Sequence, residues 1–335
     1  MKFIFELSKE HETLPTSEVL ACLKAEKINY NIIETNQNAL VIDTVSKNAK
    51  IERISNRLSF TFHIDKLLFS CSISTKEIKK HALDTQIEKN GTIAIRCKNR
   101  SNTVNSQDIV KTLGEIYSKG RKVALEKPEI EVRGLITDSA VYVGLKVSEI
   151  NRSQFENRRA QYRPFFSPIS LHPKLARAIV NLSAVQKNEV LLDPFCGTGG
   201  ILIEAGLIGV RVVGSDIEDK MVRGCGENLD FYNIKNYKLS SLDIGNINDH
   251  LSKVDAVVTD LPYGKSTTTK GEDIHKLYER AFRSISNVLK EGGRAVIGLS
   301  DKNMLPLGEQ YLSLIEKHNF RAHSNLTRYF AVYQK

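Results

Sequence analysis

The run Glu189-Val190-Leu191-Leu192-Asp193-Pro194-Phe195-Cys196-Gly197-Thr198-Gly199-Gly200-Ile201-Leu202-Ile203-Glu204-Ala205-Gly206 decides the fold of the rear half of the chain. Val190 to Leu192 make a short buried strand, a glycine-rich turn follows, and Ile201, Leu202 and Ala205 resume at helical spacing. Strand, tight loop and helix in that order open a nucleotide-binding α/β unit. Gly197 and Gly199 let the backbone come close to a ligand, and the first amides of the helix point at whatever polar or negative group sits there. The loop does not end in Gly-Lys-Ser/Thr, as a phosphate-cradling loop would. Leu202 stands where a dinucleotide fingerprint has its third glycine.

What remains is an acid, Asp193, at the carboxyl end of the strand, and a turn with no cation to neutralise phosphate. Such a turn suits a cofactor with an amino-acid end and a ribose. It resembles the first motif of the methyltransferases that use S-adenosylmethionine (SAM) and act on base nitrogens. The resemblance implies cofactor contacts from Asp193, Phe195, Gly197, Thr198 and Gly199. Downstream, Arg211–Asp216 reads as a second strand whose terminal acid follows Asp193 by 23 residues, the spacing at which a carboxylate reaches a ribose diol, with Ile217 beside it. Tyr237–Leu242 reads as a third strand, followed by Asp243, an acceptor for an adenine amino group. A carboxylate closing each successive strand fits a ligand bound at the carboxyl ends of an open parallel sheet.

A fourth strand, Asp255–Thr259, ends in Asp260-Leu261-Pro262-Tyr263-Gly264, which resembles the Asp/Asn-Pro-Pro-Tyr motif of amino-group methyltransferases. An exocyclic amine delocalises its lone pair into the aromatic ring and is a poor nucleophile. Two acceptors on its hydrogens, the Asp260 carboxylate and the Leu261 carbonyl, would hold it in line and stabilise the positive charge that develops on nitrogen. Tyr263 would stack on the flipped base. Leu261 stands where the first proline is usual, so the fixed φ of proline is lost and some preorganisation with it. The proton acceptor stays open between Asp260 and water.

The 335 residues predict two or three domains, and 41% hydrophobic with 26% charged residues fit a globular chain. No apolar run approaches the ~20 residues of a membrane span, and the start of the chain has no signal-peptide core, so a cytoplasmic protein is expected. Five cysteines without a C-x-x-C pair argue for free thiols rather than zinc or disulfides, and no metal is expected. Net charge is +9, and its excess is focused. Residues 51–100 hold 10 Lys/Arg against 5 Asp/Glu, and residues 151–200 hold 7 against 3, the pattern a phosphate backbone selects.

Residues 1–62 alternate short strands and helices in a split βαβ, ferredoxin-like pattern, with Ser17 as the expected cap of a helix over Ser17–Glu26. Residues 63–149 repeat the mixture in a more basic form. The strand Ile93–Lys98, the helix Ile109–Gly114 and the segments Lys127–Val132 and Val141–Gly144 resemble the THUMP domain, an RNA-binding module. Lys79, Lys80, Arg96, Lys98 and Arg100 are its candidate RNA contacts. Residues 150–166 form a bridge in which Arg158, Arg159 and Arg163 alternate with Phe155, Tyr162, Phe165 and Phe166. Arginine for phosphate and aromatics for bases suit an RNA-facing linker, although for Phe165 and Phe166 docking onto a domain is favoured. Residues 167–335 make the methyltransferase domain, with a polar loop over Lys265–Asp273, a helix expected over Glu309–His318 and a closing hairpin of Phe320–Asn325 with Tyr329–Gln334.

Arg163-Pro164-Phe165-Phe166-Ser167-Pro168 and His172-Pro173-Lys174-Leu175-Ala176-Arg177-Ala178 resemble one family in particular. This is the archaeal tRNA (guanine(10)-N2)-dimethyltransferase family, which joins a THUMP domain to a Rossmann-like SAM methyltransferase domain. The resemblance implies α+β front domains and an α/β rear domain, a monomeric enzyme with tRNA as partner and SAM as cofactor, and methylation of guanosine 10 once and then again. Nothing in spacing or composition specifies position 10 or the second methyl. Another tRNA or ribosomal RNA guanine, or an RNA-binding protein with a relic methyltransferase domain, stays open at this point.

Overall fold

The computed structural model describes residues 1–101, 104–167, 170–262, 272–323 and 326–335, without the side chains of 322, 323 and 326. The chain forms two compact units: residues 1–12, 28–56 and 61–150 make the first, and residues 13–27, 57–60 and 151–335 the second.

Seven strands build the first unit: β1 (Lys2–Leu7), β2 (Asn31–Thr35), β3 (Ala39–Asp43), β4 (Thr61–Cys71), β5 (Ile93–Asn99), β6 (Ile130–Ile136) and β7 (Val141–Glu149). They lie in the order β2-β3-β1-β4-β7-β6-β5, antiparallel throughout except for β5 with β6. β4 is long enough to pair with β1 along one edge and β7 along the other. The boundary expected at residues 62 and 63 therefore falls inside a strand, and the segments read as two front domains share one sheet. Helices Thr75–Asp84 and Ser106–Tyr117 bury Ile78, Ala82, Ile109, Leu113 and Tyr117 in one apolar cluster with that sheet. The 3.6-residue period supplies these positions, and Asn105 starts the second helix by accepting from the Gln107 amide.

The second unit has the strands β8 (Val190–Asp193), β9 (Arg211–Asp216), β10 (Tyr237–Ser241), β11 (Val254–Asp260), β12 (Leu289–Leu299), β13 (Ser313–His323) and β14 (Leu326–Gln334). Their order is β10-β9-β8-β11-β12-β14-β13; the first five are parallel, and β14 and then β13 close the sheet antiparallel. Two apolar clusters pack against the sheet. One gathers helices Pro173–Leu182, Gly200–Gly206 and Asp219–Phe231, the other Ile274–Val288 and Leu305–Glu309. The strand order reverses between β8 and β11, and ligands of such sheets bind outside the carboxyl ends at that reversal.

The helix expected over Ser17–Glu26 spans Leu14–Ala25, with Pro15 in its first turn, and Ser17 donates to Glu316 instead of capping. Its Glu18 is fully buried and accepts from the Ser59 amide and hydroxyl, the Phe60 amide and the Asn181 side chain. The helix expected over Glu309–His318 is mostly strand. After the short helix Leu305–Glu309, β13 begins at Ser313 and pairs with β14. From Ser313 to His318 exposure alternates with period two, with Glu316 and His318 facing in and Ile315 facing out. Leu314 and Phe320 share the inner face with Glu316 and His318, the register shifts between Leu314 and Glu316, and the ladder with β14 overrides the local helical pattern.

Candidate active site

A cavity of about 250 Å³ opens at the switch point, and Asp193, Asp216, Asp243 and Asp260 all line it. Phe195, Gly197, Thr198 and Ile217 also line it, as do Leu261 and Pro262. Gly199 lies behind the lining, and Tyr263, Gly264 and the loop through Gly271 lie outside the described residues, as does Pro168.

The turn after β8 is held by bonds that the acids themselves make. Asp193 is 1% exposed, and one oxygen, Oδ1, accepts from the Thr259 hydroxyl at 2.7 Å and the Phe195 amide at 3.2 Å. Burial pushes its carboxyl up to about 7, against the help of those two donors. Asp216 accepts from the Gly197 amide at 3.0 Å on Oδ2 and the Glu218 amide at 2.9 Å on Oδ1, and burial raises its pKa as well. The acid expected to meet a ribose thus also pins the glycine turn. Gly197 and Gly199 adopt φ of +50° and +80°, which glycine alone takes at no steric cost, and a Cβ on Gly199 would fall 2.6 Å from the Cys225 sulfur. Buried Asn228 gives its amide to the Thr198 and Phe165 carbonyls at 2.9 Å each, tying the end of the bridge to the turn. Both oxygens of Asp216 keep lone pairs beyond these bonds, so they could accept from the two hydroxyls of a sugar diol at the end of β9.

Asp260, at the end of β11, is built differently. Its Oδ2 lies 3.5 Å from Nε of Arg328, near the start of β14, while its Oδ1 is buried with no hydrogen-bond partner among the described residues. Burial raises its carboxyl to about 6, and the Arg328 charge opposes that rise. Leu261, fully buried, donates its amide to the Gly298 carbonyl at 3.0 Å, a bond that the proline usual at this position could not make. The Tyr278 hydroxyl donates to the Pro262 carbonyl at 3.0 Å. The rigidity a proline would have given is supplied here by neighbours.

Asp243 is engaged more fully than the sequence suggests. Arg280 reaches both its oxygens, at 2.5 and 3.3 Å, and also Glu272, while the Gly245 amide takes Oδ1 at 2.8 Å. Its chief partner is therefore a cation. Neither Arg280 nor Arg328 belongs to a motif; only the fold brings them here. Ser170, whose hydroxyl lies 3.3 Å from that of Thr198, is a further lining residue without a sequence signal.

The cations expected to face RNA divide sharply. Lys79, Lys80, Arg96, Lys98 and Arg159 are exposed. Arg158 and Arg163 are not: Arg158 is buried and forms a two-pronged pair with the fully buried Glu204, at 2.8 and 3.0 Å, and Arg163 is 4% exposed. The Arg163 guanidinium lies 3.2 Å from where a Cβ of Gly200 would stand. Buried Glu204, which Arg177 also approaches at 2.8 Å, needs Arg158 and Arg177 as compensation, which is why Arg158 is withdrawn from solvent. Arg100 is largely buried too, 2.8 Å from Glu6. Phe165 docks through Asn228 as favoured, whereas Phe166 is 55% exposed. Among the described residues no group of side chains could hold a metal, no helix is long and apolar enough to cross a membrane, and all five cysteines are unbonded.

An open parallel sheet with an antiparallel hairpin, a glycine turn at its switch point and an acid beside an apolar turn at the next strand end define a methyltransferase. The family described as RMKL-like, methyltransferase domain, matches residues 160–329. The chain is similar over its whole length to TrmN of Thermus thermophilus, with a TM-score of 0.56 at 18% identity and 100% of both chains covered, a likeness of fold. In sequence it is 36% identical to the tRNA (guanine(10)-N2)-dimethyltransferase of Methanothermobacter thermautotrophicus, with 100% of both chains covered. It is 32% identical to the enzyme of the same name from Methanocaldococcus jannaschii, with 99% of both covered. The chain belongs to the tRNA (guanine(10)-N2)-dimethyltransferase family.

Proposed function

We propose that the protein transfers methyl groups from SAM to the exocyclic N2 of guanosine in tRNA, at position 10, first once and then again. The relatives named above carry the substrate and position, and one observation in the site carries the chemistry. In the cavity wall beside Asp193 and Asp216, Asp260 keeps a buried oxygen with no donor among the described residues. A buried acceptor without a partner costs free energy, and an amine N–H would satisfy it.

Asp216 would hold the ribose hydroxyls, the Gly197–Gly199 turn and Thr198 the amino-acid end, and Leu242 and Ile217 the faces of the adenine. Bound there, SAM would supply an electrophilic methyl group to the N2 lone pair, with sulfur retaining the electrons of the S–C bond. Asp260 accepts one amine hydrogen and the Leu261 carbonyl the other, which aligns the nitrogen and stabilises the charge it gains. The nitrogen then loses a proton to Asp260 or to water. Exposed Lys79, Lys80, Arg96 and Lys98 on the first unit are the candidate phosphate contacts, with Arg159 on the second.

Unmodified tRNA incubated with methyl-labelled SAM and then mapped by nuclease digestion tests this reading. Label on N2 of guanosine 10 is expected, and label at another nucleotide would refute the position. Asp260→Asn should lower turnover at least ~100-fold with SAM binding unchanged, and Asp216→Ala should weaken SAM binding roughly 10- to 100-fold by calorimetry. Failure of the wild-type protein to bind SAM would instead favour an RNA-binding protein with a relic domain.

A further inference from the structure

Two residues outside the Asp260-Leu261-Pro262 turn stand against the Asp260 carboxylate. Gly298, on β12, stands opposite Asp260 in register, and a Cβ there would lie 2.3 Å from Oδ1. Arg328 lies two residues before Phe330, the residue paired with Gly298 on the other side, and its Nε stands 3.5 Å from Oδ2. Its side chain is only 11% exposed, which takes it out of the class of surface arginines that meet phosphate. The glycine leaves room for Oδ1, and the guanidinium engages Oδ2. Of two chemically equivalent oxygens, one faces a cation and the other is buried over Gly298 without a hydrogen-bond partner among the described residues.

We infer that Arg328 is a positioning residue for methyl transfer: it pairs with the Asp260 carboxylate along its Oδ2 edge and keeps it ionised, so that the carboxylate accepts an N–H of the substrate amine. The identity of that amine rests on the function proposed above; the ion pair does not. The charged and titratable groups that act on Asp260 come from several elements. Arg328 on β14 favours the carboxylate, Asp193 on β8 disfavours it, and the Tyr278 hydroxyl on helix Ile274–Val288 is neutral until high pH, burial having pushed it up to about 12. Removing Arg328 leaves burial and Asp193 unopposed, and a carboxyl that titrates near 6 moves into the working range, where its protonated form offers the amine a donor instead of an acceptor.

The test uses the full chain with Arg328→Gln and Arg328→Lys, both checked for a cooperative thermal transition. The Asp260 carboxyl is followed by carbon NMR of aspartate-labelled protein and assigned with Asp260→Asn. Arg328→Gln should raise the Asp260 titration by about one unit or more, and Arg328→Lys should restore it to within about half a unit of the wild type. In methyl transfer to unmodified tRNA, Arg328→Gln should lose about threefold or more at pH 6.5 and regain most of that by pH 8.5, with KM for SAM unchanged. An unmoved titration, a loss equal at every pH, or a lysine variant that behaves like the glutamine one would overturn the inference. If the wild-type protein methylates no tRNA while the carboxyl still shifts in Arg328→Gln, the functional reading fails and the positioning role stands.

Discussion

At the scale of single residues, the site works by placing carboxylates where water cannot relax around them. Asp193, buried and pushed up to about 7, gives the sharpest consequence for pH. Its folded-state value lies above its unfolded one, so the folded protein binds the proton more tightly. Its contribution is fully present below about pH 4 and is lost as pH rises through about 7. In denaturant melts, Asp193→Asn should therefore flatten the pH dependence of stability between about pH 4 and 7; a slope identical to wild type would contradict it. Gly298 is the second residue-scale case. Gly298→Ala would drive a methyl into Asp260 Oδ1, and is expected to cut turnover roughly 10- to 100-fold while SAM affinity holds, as read from kinetics and calorimetry. Asp193, Asp216 and Asp260 were legible in the sequence because each closes an apolar strand run. Arg280 and Arg328 were not, since neither sits in a motif and each reaches its acid across a separate element.

At the scale of elements, hydrophobic periodicity marked most of the strands and helices, and it failed where polar residues face in and the register shifts. In β13, Glu316 faces in and finds Ser17, while Ile315 faces solvent; a pattern read for alternation with the usual polarity misses it. The helix Leu14–Ala25 carries a comparable lesson. It contributes a buried carboxylate that serves four donors on two other segments of the second unit, Ser59-Phe60 and Asn181. Glu18→Ala would leave those donors unsatisfied, at a cost of about 2–4 kcal/mol, visible as a lowered midpoint in urea without a change in slope. A chain beginning at residue 151 would lack this helix and is expected to melt well below the full protein.

At the scale of the whole molecule, charge is sorted by burial. Of the arginines that made the bridge look RNA-facing, Arg158 and Arg163 are sequestered and Arg159 is exposed, so the bridge offers less to phosphate than its composition implies. The exposed lysines of the first unit are the stronger candidates for that contact. Replacing Lys79 and Lys80 together by glutamate should weaken tRNA binding about tenfold or more at ~0.1 M salt and reduce the salt slope by roughly 1–2, with SAM affinity unmoved, as measured by filter binding over a salt series. The sequence by itself determined the class of sheet, the acids at its strand ends and the family, because strand runs, glycine turns and the residues that close them are local, and local chemistry is written in order along the chain. Only the tertiary structure decided that the front segments share a sheet, which arginines face water and which neutralise buried acids, and that Arg328 stands beside Asp260. Those outcomes depend on pairing and burial between residues distant in sequence, and no spacing along the chain encodes the low-dielectric surroundings that give each charge its role.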